Sequence, residues 1–62
     1  MQLYYAAYSK DGAYRWKIYG YDATGNREEI RHRSAGEYDS AEEAMDACAE
    51  YMDVYSIDAE ME

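Results

Sequence analysis

Alternation of polar and apolar residues near the start of the chain predicts two antiparallel strands joined by a tight turn. Residues 2–9 are rich in tyrosine, which favours strands, and residues 13–21 alternate with a period of two. Residues 10–12 contain an Asp-Gly dipeptide, the sequence signal of a hairpin turn. We therefore expect these strands to share an inner, apolar face made of Leu3, Tyr5, Ala7, Tyr14, Trp16 and Ile18.

A third strand is predicted at residues 27–34, after a polar turn at residues 22–26. Uninterrupted alternation places Ile30 on one face with Glu28 and His32, and it places on the other face Glu29, Arg31 and Arg33. Charged residues on both faces are typical of an edge strand, where charge discourages aggregation.

The strongest helix signal begins at Ser40, a favoured N-cap residue, and Glu43 completes a capping box three positions later. Apolar residues then recur at helical spacing, and this stripe consists of Ala41, Ala44, Met45, Cys48, Tyr51, Met52 and Tyr55. The sequence leaves the C-terminal end open. Residues 54–57 have strand character and are compatible with a short fourth strand, and we expect residues 56–62 to fray.

A sheet with one apolar face and a helix with one apolar stripe pack together because each must bury that surface. We therefore predict one α+β domain over residues 1–62, an antiparallel three-stranded meander with a C-terminal helix on one face. A chain of 62 residues has a small core. The outer face of the sheet is expected to carry Tyr4, Tyr8, Arg15, Lys17, Tyr19, Tyr21, Arg31 and Arg33.

Charge is distributed unevenly along the chain, whose net charge is −8. Residues 1–33 hold all six lysines and arginines against four acids, which gives +2. Residues 34–62 hold ten acids and no base, which gives −10. Such a field repels nucleic acid and anionic membranes and attracts basic surfaces.

Residues that carry catalytic chemistry are few. His32 and Cys48 are the only histidine and cysteine, and Cys48 falls on the buried stripe of the helix, where a thiol acts as a small apolar group. A reactive thiol needs an exposed, electropositive setting. We therefore expect no catalytic residue, no metal and no cofactor. One unpaired cysteine and the lack of a secretion signal or a membrane-spanning stretch favour a cytoplasmic protein.

The helix also carries the main candidate for binding, a row of acids on its polar side with no lysine four residues away. Successive charges lie one turn apart, about 5–6 Å, which is broadly comparable to the spacing of phosphates along a DNA strand. This pattern predicts docking on a basic protein surface, such as that of a nucleic-acid-binding protein. The contact would be made by Asp39, Glu42, Glu43, Asp46, Glu50 and Asp53, flanked by Tyr51 and Tyr55.

Three alternatives stay open. The acidic side of the helix can serve solubility alone. The outer sheet face mixes tyrosine with arginine and lysine and can bind single-stranded nucleic acid, although the ten acids nearby disfavour direct binding of nucleic acid. The same residue types are favoured at protein interfaces, which makes a homodimer the third alternative.

Two segments of the chain resemble known families. Residues 11–18, Asp-Gly-Ala-Tyr-Arg-Trp-Lys-Ile, and residues 36–44, Gly-Glu-Tyr-Asp-Ser-Ala-Glu-Glu-Ala, resemble the short YegP-like domains of unknown function. That resemblance implies a sheet with one helix and no activity. The second segment is similar to the strand-to-helix junction of integrase arm-binding and plant ethylene-response-factor domains, which implies recognition of nucleic acid by the sheet. In composition the chain is similar to small acidic phage inhibitors, including restriction inhibitors and anti-CRISPR proteins.

Overall fold

The computed structural model describes residues 2–62, which form a four-stranded mixed sheet with one helix packed across it. The strand order is β3-β2-β1-β4; the first three strands pair antiparallel, and β4 lies parallel to β1. The predicted α+β class and the three-stranded meander are confirmed. The elements are β1 (Tyr4–Lys10), β2 (Ala13–Tyr21), β3 (Glu28–Arg33), α1 (Ala41–Tyr55) and β4 (Glu60–Met61).

The turn between β1 and β2 follows directly from its sequence. Asp11 and Gly12 both have positive φ angles, 53° and 81°, as a two-residue type I′ hairpin turn requires. In the next turn the Asp22 carboxylate accepts hydrogen bonds from the Thr24 hydroxyl at 2.6 Å and the Thr24 backbone N–H at 3.1 Å. Because these bonds favour the charged form, they lower the pKa of Asp22.

The core lies between the inner face of the sheet and α1. Trp16 and Ile18 from β2 meet Ala44 and Cys48 from the helix, and all four are buried. The small helix residues let the backbones approach closely, so the large side chains of the strand fill the layer between them. The predicted inner face is confirmed, since the residues packed around this cluster include Leu3, Tyr5, Ala7 and Tyr14.

Both ends of α1 are capped by the chain around them. The Ser40 hydroxyl accepts the Glu43 backbone N–H at 3.1 Å, as the capping signal predicts. At the other end Ser56 takes the left-handed conformation, with φ 54°, and the Ile57 N–H bonds the Met52 carbonyl at 2.9 Å in a Schellman-type end.

The fourth strand does not form at residues 54–57, where the helix ends and caps. It forms at Glu60–Met61, within the tail that we expected to fray. The Glu60 N–H bonds the Leu3 carbonyl at 3.0 Å, and the Glu62 N–H bonds the Tyr5 carbonyl at 3.2 Å. The end of the chain therefore completes the sheet along β1.

A β-bulge in the pairing of β2 with β3 corrects the predicted arrangement of the third strand. The register shifts between Ile18 and Tyr19, so that His32 lies opposite Ile18 and Ile30 lies opposite Tyr19. His32 therefore faces the helix, whereas Ile30 faces outward with Arg33. Uninterrupted alternation was the wrong assumption, because a bulge adds one residue to a strand and changes which face the following side chains occupy.

Candidate functional site

Five carboxylates gather on the exposed side of α1. With about 100° of rotation per residue, their positions fall within an arc of about 100° on the side opposite Ala44 and Cys48. All five are exposed, and none forms an ion pair with another residue of the described chain. We call this surface the acidic flank; it consists of Glu42, Glu43, Asp46, Glu50 and Asp53.

Two carboxylates at the start of the helix have additional roles. Glu43 accepts the Asp39 backbone N–H at 3.2 Å, so its side chain also helps to hold the chain entering the helix. Asp39 is exposed and lies just before the N-cap Ser40, beyond the flank itself. Of the six predicted acidic contact residues, the structure therefore brings five onto one helical surface and leaves Asp39 beside its N-terminal end.

The two predicted aromatic anchors differ in how they are placed. Tyr51 is half-buried: its ring lies 4.8 Å from that of Trp16, and its hydroxyl lies 3.0 Å from Nδ1 of His32. Tyr55 stacks on Tyr51 at 4.6 Å but stays 63% exposed, and Val54 beside it is 67% exposed. Tyr55 is thus free for contact while Tyr51 belongs to the core. Val54 was missed because the sequence there also fits a strand.

Ion pairs neutralise most of the cations predicted for the outer sheet face. Arg15 pairs with Glu37 at 2.6 Å, and Arg31 pairs with Glu29 at 3.2 Å. Lys17 pairs with Glu28. Arg33 is exposed and has no carboxylate partner within residues 2–62. The Glu37 and Glu28 contacts join positions 22 and 11 residues apart, so no local pattern in the sequence predicts them.

Aromatic rings cover the outer face around Tyr19, which is only 1% exposed. The rings of Tyr4 and Tyr21 lie 6.0 and 5.9 Å from that of Tyr19, and Nζ of Lys17 lies 4.9 Å from its centroid. The Tyr19 hydroxyl donates to the Glu62 carboxylate. Burial raises the pKa of Tyr19 well above its usual range, and the hydrogen bond to Glu62 and the charge of that carboxylate raise it further.

A shallow depression opens on the outer face beside this cluster. It is lined by Tyr8, Lys17, Ile30 and Arg33. Ile30 reaches it only because of the β-bulge, which is why alternation in the sequence did not predict it there. The outer-face residues named from the sequence are therefore mostly brought together; Arg31 lies at the bulge beside Glu29.

No arrangement for nucleophilic or metal chemistry is seen in residues 2–62. Burial raises the pKa of the Cys48 thiol to about 11, which keeps it protonated and unreactive at neutral pH. Nδ1 of His32 contacts the Tyr51 hydroxyl. In this part of the chain no group of three or more His, Cys, Asp or Glu side chains is placed to hold a metal ion. The described helix is not long and apolar enough to cross a membrane.

Comparison with models of known protein families, with curated proteins and with solved structures gave no match to this chain. The YegP-like resemblance of the two short segments therefore stays a prediction.

Proposed function

We propose that this protein is a non-enzymatic binding module whose acidic flank docks on a basic surface of another protein. The supporting observation is the contrast between its two charged surfaces. The five flank carboxylates have no cationic neighbour in the described chain, whereas Arg15, Lys17 and Arg31 on the sheet each have a carboxylate partner. Unsatisfied charge on one surface is what a partner of opposite charge recognises.

The spacing of the flank supports a partner that normally holds nucleic acid. Glu42 and Asp53 are eleven residues apart, so the five charges extend over about 16 Å of helix axis. That is one charge per roughly 3–4 Å, close to the value of about 3.4 Å per phosphate along one strand of B-DNA. The flank therefore offers a positively charged channel a rigid row of anions. Such a DNA mimic would act as an inhibitor, as small acidic phage proteins directed against restriction or CRISPR enzymes do.

An exposed apolar residue next to the acids favours a protein as the partner. Val54 is 67% exposed and lies one helical turn after Glu50, so it borders the flank. Tyr55 is also exposed, but it lies about 140–160° of helix rotation away from Glu50 and Asp53, on the side of the helix that carries Tyr51. Because protein interfaces combine apolar contacts with a polar rim, we assign Val54 the role of apolar contact and the flank carboxylates the role of steering and orienting the partner.

Charge reversal on the flank tests this proposal. Asp46→Lys with Glu50→Lys changes the net charge from −8 to −4, since each reversal adds two charges. Asp58→Lys with Glu29→Lys makes the same change away from both the flank and the charges of the outer sheet face, and it is the matched control. Glu43 is left intact because its carboxylate supports the helix start.

The assay starts from proteins captured on the immobilised chain at low salt, each then purified and titrated with the chain. We expect binding that weakens steeply with salt, that duplex DNA competes for, and that the flank reversal abolishes while the control retains most of it. A partner that binds both variants as tightly as the original chain would contradict the proposal. Circular dichroism of each variant shows whether the fold is intact.

A further inference from the structure

We propose that the outer sheet face is a self-association surface, on which a second copy of this chain packs to form a back-to-back dimer. The helix covers one face of the sheet, and no element of residues 2–62 covers the other. Tyr21 and Ile30 on that outer face each remain 40% exposed. A domain with so few buried apolar residues commonly gains stability through oligomerisation.

Charge singles out this face as the place where two copies can meet. Outward-facing cations and acids balance on it, four of each when Glu37, which pairs with Arg15, is included: Lys10, Arg15, Lys17, Arg33, Glu28, Glu37, Glu60 and Glu62. Because these eight charges cancel, the net charge of −8 is carried by the rest of the molecule. Two copies approaching by any strongly acidic surface repel each other, whereas contact through the outer faces brings together two nearly neutral surfaces.

Strand register defines how the two copies would be oriented. Arg33 lies opposite Lys17, and Lys17 lies opposite Ala6. Glu62 follows the Tyr5–Met61 pair by one residue and so lies level with Ala6. One row across the sheet therefore has a free arginine on the β3 edge and a carboxylate on the β4 edge.

A two-fold axis parallel to the strands places β3 of one copy over β4 of the other. Because this rotation does not change position along the strands, each row of residues faces the same row of the second copy. Arg33 of one copy then meets Glu62 of the second, and the symmetry makes this contact twice. The axis perpendicular to the strands instead places β3 over β3 and sets like charges against each other. Charge complementarity thus selects the parallel axis, within the approximately 30° angle that packed sheets usually adopt.

The size of the face indicates a reversible dimer. The four strands contain 7, 9, 6 and 2 residues, and each residue covers about 3.3 Å along the strand and about 4.8 Å across it, so the face outlines roughly 400 Å² per copy. Two such faces together outline roughly 800 Å², below the usual range for a stable interface. We therefore expect a weak dimer that exchanges with the monomer in the micromolar-to-millimolar range.

Sedimentation of the full chain over a range of concentrations tests the dimer, and charge swapping tests its register. Arg33→Glu and Glu62→Arg should each lower the dimer association constant roughly tenfold or more, because each sets two pairs of like charges in contact. The double variant restores the attraction with the charges exchanged, and its association constant should return to within roughly threefold of the original value. Arg27→Glu, an exposed residue outside the strands, makes the same change in net charge as Arg33→Glu and should leave most of the association intact.

A chain that stays monomeric up to about 1 mM would overturn the proposal, and so would a dimer that neither single reversal weakens. Loss of the Tyr19–Glu62 hydrogen bond in Glu62→Arg is controlled by the double variant, in which that bond is also absent. The experiment contains no third component, so its outcome does not depend on whether the acidic flank docks on a partner. A dimer of this kind would carry its two acidic flanks on opposite outer sides.

Discussion

Asp46 is the centre of the repulsion within the acidic flank, and reversing its charge should stabilise the fold. It lies four residues from Glu42, three from Glu43 and four from Glu50, spacings at which side chains on a helix interact. The remaining like-charge pair at these spacings is Glu50 with Asp53. Asp46→Lys therefore converts three of the four repulsive contacts into attractive ones by changing one exposed side chain.

The magnitude follows from these three contacts. Each like-charge pair at these spacings costs about 0.2–0.5 kcal/mol, and each opposite pair contributes about the same amount in the favourable sense. Removing three repulsions and adding three attractions raises the free energy of unfolding by about 1–3 kcal/mol. Because solvent screens exposed pairs, we expect a value in the lower half of this range. A gain of about 1–2 kcal/mol in the free energy of unfolding corresponds to a rise in Tm of roughly 5–15 °C for a domain of this size.

Thermal unfolding followed by circular dichroism, at low and at high ionic strength, measures this gain. Asp46→Asn removes the charge with little change in helix propensity and should give about half the effect. Both gains should shrink in high salt, where the charges are screened. A Tm of Asp46→Lys equal to or below that of the original chain at low salt would refute the argument. Solubility alone does not require acids placed where they repel one another. If Asp46→Lys is more stable but binds the partner more weakly, the repulsive arrangement of the flank carboxylates serves binding.

Three further predictions concern the C-terminal end and the centre of the helix. Ser56→Gly should raise the free energy of unfolding by about 0.5–1 kcal/mol, because Ser56 holds a left-handed conformation that glycine adopts without strain. Urea unfolding measures this as a higher midpoint, and an unchanged midpoint would contradict the prediction. Cys48 should react with a thiol reagent only as fast as the chain unfolds, and fast labelling of the folded protein would show that it is accessible. Burial raises the pKa of the Cys48 thiol from 9.0 to about 11, so burial of the neutral thiol contributes fully to the free energy of unfolding below about pH 9 and this contribution is lost as the pH rises to about 11.

The parts of the fold that the sequence predicted are those specified by neighbouring residues. The Asp11-Gly12 dipeptide has the two positive φ angles of its turn type, and this turn sets the register of β1 against β2. The inner face follows, because side chains alternate regularly from such a turn. Ser40 marks the helix start for the same local reason, since its hydroxyl reaches a backbone N–H only three residues away.

The parts that could not be predicted depend on pairing between distant residues. The bulge opposite Ile18 and Tyr19 lies in a segment that contains neither glycine nor proline, so no residue type marks it. The ion pair of Arg15 with Glu37 joins positions 22 residues apart. Both features change the chemistry of the outer face. The bulge turns Ile30 outward, and the ion pair with Glu37 neutralises Arg15, which we expected to be an unpaired cation.

The position of the C-terminal residues 60–62 is the main reason why the charge distribution in the fold differs from the charge distribution along the sequence. Residues 34–62 contain ten acids, but only five of them form the acidic flank. Because β4 runs along β1, Glu60 and Glu62 lie on the outer sheet face, where they balance cations from the first half of the chain. The division into a basic half and an acidic half in the sequence therefore becomes, in the fold, an acidic helix surface opposite a nearly neutral aromatic sheet surface. The first is suited to a partner of opposite charge, and the second to a surface like itself.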